Sequence, residues 1–340
     1  MQANHRNKWL LLVSLLPILM LANLFFGSVT IPLNEILEVV VGNSTNVAWK
    51  TIIIESRVPR ILTALLCGAA ISISGFQMQV LFRNPLAGPY ILGISSGASL
   101  GVSLLVLTGG WLFGSYFIVH NWSIALAATF GALFILLLVF AISIRVKDIM
   151  TVLIVGIMLG ALTTAIIGVL QYFSSSSQLK SFVIWTLGSL DGVNYSEISI
   201  LSITVIIGLG LALSQLKPLN LLLMGESYAK SMGVNLVISR LMIILSAGVL
   251  AGSVTAFCGP IGFIGIVVPH LCRVWFQTSN ARILFPAIIF LGINIMLLSD
   301  CLAHLPFSDL VLPINSITAI LGIPIIFWMV LGRKKISTNL

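Results

Sequence analysis

The sequence predicts an all-α integral membrane protein: a bundle of ten membrane-spanning helices, both termini cytoplasmic, with several of the helices broken. Three observations predict it. Hydrophobic residues make up 59% of the 340 and charged residues only 8%, against roughly 25% charged in a soluble domain, so the chain cannot cover a water-facing surface. Its mean hydropathy is +1.15. The apolar residues fall into ten runs near the length of about 20 that a bilayer core requires of a helix. They are apolar all round, whereas the strands of a membrane β-barrel alternate with period two.

The runs cover approximately residues 10–27, 61–81, 90–108, 122–144, 150–171, 198–214, 240–257, 261–277, 283–302 and 313–331. In lipid each must satisfy its own backbone polar groups, which a helix does. The seventh and eighth are short and meet at a tight Phe257-Cys258-Gly259-Pro260 turn. The first follows Arg6 and Lys8, as a signal peptide would. It is longer than the apolar stretch of a signal peptide and no A-x-A-like site follows, so it reads as an uncleaved first span. With the N-terminus inside, only Lys50, Arg57, Arg60 and Lys180 of the 17 basic residues fall outside, and of the nine acids only Asp148 and Glu226 fall inside. Retention of Lys and Arg on the cytoplasmic side sets such an orientation. The net charge of +8 therefore follows from topology and asks for no nucleic-acid partner. Cys67, Cys258, Cys272 and Cys301 have no metal-ligand spacing. Cys258 and Cys301 both fall near the outer face, but spacing alone does not bring them within disulfide reach.

The whole of 1–340 reads as one membrane domain with no soluble domain. The outer loop 28–57 carries Glu35, Glu38 and Glu55. In the outer segment 172–197 a Ser174–Ser177 run precedes Lys180 to Trp185, a short surface helix ending before Gly188. The inner loop 215–239 is the longest cytoplasmic segment, and its Gly225–Gly233 stretch reads as a short helix. Glu226 precedes Lys230 by four residues, the favourable order, and suits the positive end of a helix dipole. Gly233 supplies a left-handed stop. Read from the residues alone, this is a solvated helical connector. In the third run Gly93, Gly97 and Gly101 recur every four residues, a flat ridge on which another helix can pack closely; Gly156 and Gly160 echo it in the fifth. Breaks are expected at Asn84-Pro85, Gly259-Pro260, Pro269, Pro313 and Pro324. Broken helices border substrate paths in transporters, and single breaks also serve simple re-entrant packing.

Several stretches, read together, resemble the FecCD-type permeases, the membrane subunits of ABC importers for iron–siderophore complexes, haem and cobalamin. They are Arg57-Val58-Pro59-Arg60; Gly75 through Asn84-Pro85-Leu86-Ala87 to Gly93-Ile94-Ser95-Ser96-Gly97-Ala98; Gly225-Glu226 to Ala229 and Gly233; and Gly259-Pro260-Ile261-Gly262-Phe263-Ile264-Gly265 to Pro269-His270. Leu312-Pro313 through Thr318-Ala319 to Gly322 is a weaker fifth. They occur in the family's order from the second run onward. The resemblance implies ten spans, a second permease copy or close relative, two ATP-binding subunits, a periplasmic or lipid-anchored substrate-binding protein, and residence in the inner (plasma) membrane. The sequence has no Gly-x-x-x-x-Gly-Lys-Ser/Thr element to cradle phosphates, so ATP is expected on the partner, with no enzyme activity, metal or cofactor on this chain.

Residue by residue, the resemblance makes Gly225, Glu226, Ala229 and Gly233 the segment that couples to the ATPase, with Ala229 allowing close approach. It makes Arg57 and Arg60 the outer arginines on which the binding protein docks through carboxylates; anchoring of the second span is the plainer use of such residues. A third docking arginine often follows the ninth span's aspartate by four positions. Asp300 matches that aspartate, but His304 stands where the arginine would, which makes docking there pH-sensitive if the imidazole titrates near neutrality. The family's Glu-Leu-Pro is altered to Val311-Leu312-Pro313. Asp300 itself is expected to cap a helix or bridge to a neighbouring span, and the family's cytoplasmic gate maps to Asp148, Ile149, Met150 and Thr151. An ion-coupled secondary transporter is the competing reading, and it needs membrane-embedded ionisable residues, of which Asp300 is the main one.

Overall fold

The structure, a computed structural model, describes residues 2–332 apart from 28, 30, 43–45, 114–120, 147 and 305–310. Lys147, Arg333, Lys334 and Lys335, expected on the inner side, lie outside the described residues. Among those described, the chain runs through α1 (Gln2–Phe25), α2 (Leu33–Val41), α3 (Val47–Ile52), a π-helical turn Ile53–Arg57, α4 (Val58–Leu81), a 3-10 turn Pro89–Leu92, α5 (Ile94–Phe113), α6 (Asn121–Arg145), α7 (Ile149–Phe173) and α8 (Ser176–Thr186). It continues through α9 (Tyr195–Ser214), α10 (Leu216–Met224), α11 (Glu226–Ser231), α12 (Leu236–Cys258), α13 (Ile264–Phe276), α14 (Ala281–Ala303) and α15 (Ile314–Gly332). Seven of the described helices are long and apolar enough to cross a membrane, and shorter apolar helices at Ile94–Gly109, Ile264–Phe276 and Ile314–Trp328 occupy the remaining predicted runs. A 24-residue helix such as α4 is about 36 Å long, enough for a hydrocarbon core of roughly 30 Å.

Large apolar side chains point outward from the bundle, among them Phe130, Phe173, Ile206 and Phe327, as lipid permits and water does not. Polar caps hold the ends. Asn194 and Glu197 form a reciprocal capping box on α9, and Ser175 and Gln178 form another on α8, the predicted surface helix. At the centre stands α4, packed against α9, α12, α13 and α14; 83% of its apolar span is buried.

Close packing depends on glycines facing backbone. A Cβ on Gly101 would lie 2.0 Å from the Ala127 carbonyl oxygen, and one on Gly131 would lie 2.1 Å from that of Gly97. The predicted ridge of Gly97 and Gly101 thus exists and its partner is α6. Gly93 is not part of it. It has φ of 77° and closes the turn before α5, because the helix starts at Ile94 rather than near 90. Gly156 and Gly160 pack against that turn instead of forming a separate ridge.

Two predicted breaks need correction as well. Pro269 lies inside α13 and Pro324 inside α15, where neighbouring helices accommodate the backbone groups that a proline frees. The Gly265 carbonyl, four residues before Pro269, lies where a Cβ on Gly75 would be, at 1.9 Å, so α4 and α13 meet backbone to backbone there. Asn84-Pro85 and Gly259-Pro260 are true interruptions, and Pro313 immediately precedes α15. The segments expected to be loops also hold structure: α2 and α3 lie within 28–57, and within 215–239 α10 precedes α11, the short helix expected between Gly225 and Gly233. Replacing Gly101 with Val should therefore destabilise the α5–α6 contact by about 2 kcal/mol or more, read as a lower melting temperature in detergent, whereas Gly210→Val, whose Cβ meets nothing within 4 Å, should leave it unchanged.

Candidate functional site

Two groups of candidate residues are assembled at opposite ends of α4. At the predicted outer end, Arg60 projects from the first turn of α4, and its Nε lies 3.0 Å from Asp300 Oδ2 near the end of α14. Both side chains are buried, 5% and 1% exposed. Neither of those atoms forms a hydrogen bond of good geometry, so the pair is held by charge. The Arg60 guanidinium also lies 3.8 Å from Asp191 and donates to the Asn23 carbonyl at 3.3 Å. Asp191 reaches the cluster from the turn before α9.

His304, at the end of α14, completes it. Its Nε2 is 3.0 Å from Asp191 Oδ2, and its Nδ1 is 3.1 Å from the Asp300 carbonyl oxygen and 3.5 Å from Asp300 Oδ1. Both neighbours are acceptors, so satisfying both ring nitrogens calls for the doubly protonated imidazolium. Burial works against that charge, but the hydrogen bond to Asp191, with the charges of Asp191 and Asp300, outweighs burial and the repulsion of Arg60 and raises the His304 pKa above its usual 6.5. Burial also opposes charge on Asp191, and the bond and charge of His304 together with Arg60 overcome it, lowering its carboxyl below 3.8. Asp191, Asp300 and His304 line a cavity of about 170 Å³ with Gly188 and Pro313. Arg57 stands apart from the four: its guanidinium donates to the carbonyls of Leu24 and Val29, closing the start of the 28–57 segment onto α4.

At the other end, a cavity of about 610 Å³ is lined by Phe82 and Arg83, Ile149 and Met150, and Met224 to Tyr228. Asp148 caps α7, accepting from the backbone N–H groups of Met150 and Thr151 and from the Thr151 hydroxyl at 2.7 Å; those bonds, the hydroxyl's first, lower its pKa. Helix α11 is bounded by Gly225 with φ of 125° and Gly233 with φ of 81°, conformations that a side chain rarely tolerates. Glu226 pairs with Arg240 at 2.6 Å, not with Lys230, because the start of α12 packs on α11 and offers a nearer cation. Ala229 is fully buried, so the close approach it permits is to its own chain, while Tyr228 and Met232 are exposed.

A profile described as the FecCD transport family matches residues 15–332. The chain belongs to the FecCD transport family. This FecCD permease is 35% identical over 335 residues to the vitamin B12 import system permease protein BtuC of Klebsiella pneumoniae, covering 98% of this chain and 96% of the relative. It is 36% identical over 337 residues to that of Salmonella typhi, covering 98% of each. The solved structure of a metal-chelate type ABC transporter in an inward-facing conformation superposes with a TM-score of 0.84 at 29% identity, covering 96% of this chain and 99% of the other. The chain is thus a multi-pass membrane protein and the permease subunit of an ABC importer, and an ion-coupled secondary transporter is not favoured.

In the FecCD permease the structure gathers Arg60, Asp300 and His304, which sequence reasoning singled out, and brings Ile149 and Met150 to the same cavity as Gly225 and Glu226, with Asn84 in the turn after Arg83. Arg57 and Arg60 were expected on the surface and are buried instead, at 3% and 5% exposure, because each finds acceptors within the bundle. Asp300 bridges to α4, as anticipated for a buried carboxylate. Asp191 was missed: it sits between Gly188 and Gly192 in an irregular turn, where nothing but its charge marks it. Because the His304 pKa is raised, its charged pairing is complete below about pH 6.5 and is lost as pH rises through the higher value. The melting temperature in detergent should fall across that interval, and His304→Gln should remove the step.

Proposed function

We propose that this permease imports a metal chelate, cobalamin or an iron chelate, that is delivered by a substrate-binding protein at the outer end and moved by a paired permease when two ATPase subunits close. Identity of 35–36% with vitamin B12 permeases across nearly the whole length carries this reading. The asymmetry of charge supports ten spans with both termini and the 215–239 segment in the cytoplasm. The segment from Gly225 to Gly233 then meets the ATPase. Its glycines hold α11 at a fixed angle, the Glu226–Arg240 pair fastens it to α12, and exposed Tyr228 and Met232 offer the contact surface. The shared cavity with Ile149 and Met150 lets movement of that segment bear on the start of α7. Arg60 is the docking cation: carboxylates of the binding protein compete with Asp300 and Asp191 for it, so docking and loosening of the outer cluster are one event.

Reconstitution in vesicles with its ATPase and binding protein tests the reading. ATP-dependent accumulation of labelled cobalamin or ferric siderophore is the expected result, and uptake that proceeds without ATP would sink it. Gly233→Val should reduce uptake at least tenfold with normal membrane insertion, and unchanged uptake would remove α11 from the coupling path.

Arg60→Met leaves a buried carboxylate without its cation and should cost about 3 kcal/mol. The double change Arg60→Met/Asp300→Leu should restore much of that stability, since an apolar pair can replace a buried ion pair. If Arg60 docks the binding protein, the restored double variant still binds it at least tenfold more weakly; undiminished binding would assign Arg60 to structure alone.

A further inference from the structure

Cys67 is the tenth residue of the 24-residue α4, and Cys258 is the last residue of α12. Their sulfurs are 3.5 Å apart, and both are free thiols buried in the bundle. We infer that Cys67 and Cys258 are an oxidisable dithiol, which closes into a disulfide that fastens α4 to α12 and arrests transport; the second half rests on the permease function proposed above.

A disulfide requires a sulfur separation of about 2.05 Å, so the sulfurs must close by roughly 1.5 Å. The two sides differ in their freedom to do so. Cys67 is held inside α4. Cys258 ends its helix, and Gly259 with φ of 71° begins the turn to α13, so the Cys258 end shifts without bending a helix. Access is also one-sided. A cavity of about 160 Å³, lined by Asn121, Trp185, Asp191 and Glu197, reaches Cys258. In the proposed orientation it opens towards the outer compartment, where disulfides persist.

The oxidant is a small organic disulfide entering by that cavity. The Cys258 sulfur, as thiolate, attacks one sulfur of the oxidant, forms a mixed disulfide and releases one small thiolate. Cys67 then attacks the Cys258 sulfur and displaces the second. The protons of the two cysteines pass to the two released thiolates, so two protein thiols are oxidised and one small disulfide is reduced to two thiols. The new bond ties together the two most deeply buried of the described spans, 83% and 61% buried. An importer must alter packing between its states, so a covalent tie across that contact holds one of them.

The test uses the full-length permease reconstituted with its ATPase and binding protein, treated with dithiodipyridine and then mapped by peptide mass. The expected result is a Cys67–Cys258 linked peptide two mass units lighter than its reduced parts. Uptake should fall at least tenfold and return on addition of a thiol reductant. Cys258→Ser and Cys67→Ala should transport without oxidant and resist its effect. The mapping needs only the unaltered chain, so a poorly folding variant does not spoil the test. Labelling of Cys301 with no Cys67–Cys258 link would overturn the dithiol, and a quantitative link with full uptake would overturn the arrest. Absence of uptake in the reduced protein would count against the importer reading instead, while the linkage is still scored.

Discussion

Helix α4 has almost no lipid face, and the rest of the bundle depends on that enclosure. In lipid, helices gain nothing by hiding apolar surface from water, so association rests on close packing and on interhelical hydrogen bonds. Both are written into α4. Gly68 meets the backbone of Gly292 on α14, and Gly75 meets that of Gly265 on α13. Ser74, between them, donates to the Ala247 carbonyl at 2.9 Å, and Gln77, just beyond Gly75, pairs with Ser246 at 3.1 Å, tying α4 to α12. A larger residue at either glycine separates the axes, and an apolar residue at either polar position removes a hydrogen bond between α4 and α12.

The same helix joins the two candidate sites. Arg60 stands in its first turn and Phe82 and Arg83 follow its last, so the charge cluster around Arg60 and the cavity beside Arg83 sit at opposite ends of one rigid element about 36 Å long. Its lower half is further braced where Arg273 donates to Gln79 at 2.6 Å and Gln79 donates to the Ile266 carbonyl at 2.9 Å. Movement at one end therefore has a stiff path to the other, whereas the 259–263 turn and the short α10 and α11 are the places where backbone can give.

The cluster of Arg60, Asp191, Asp300 and His304 shows how a membrane protein handles buried charge. Arg60 faces two carboxylates, and His304 adds a cation that depends on pH. The four groups come from α4, α14 and the turn before α9, so their pairing closes three elements together. An isolated charge in such a place is costly; mutual neutralisation makes it tolerable, and titration of one member weakens all.

Membrane location, the ten apolar stretches and the asymmetry of basic residues along them could be read from the sequence, since hydropathy and charge asymmetry are local sums that need no knowledge of contacts. So could the glycine spacing on α5 and the two glycines that bound α11, because those residue types are needed wherever backbones approach or turn left-handed. What packs on what could not be read. Runs that are apolar all round do not say which face meets which helix, so the enclosure of α4, the use of Gly131 as the partner of Gly97 and the contact of Cys67 with Cys258 appear only in three dimensions. The same holds for Arg57 and Arg60. Arginines beside a span read as surface residues because burial is costly, and only the tertiary structure supplies the carbonyls and carboxylates, from segments as distant as Leu24 and Asp300, that turn them inward.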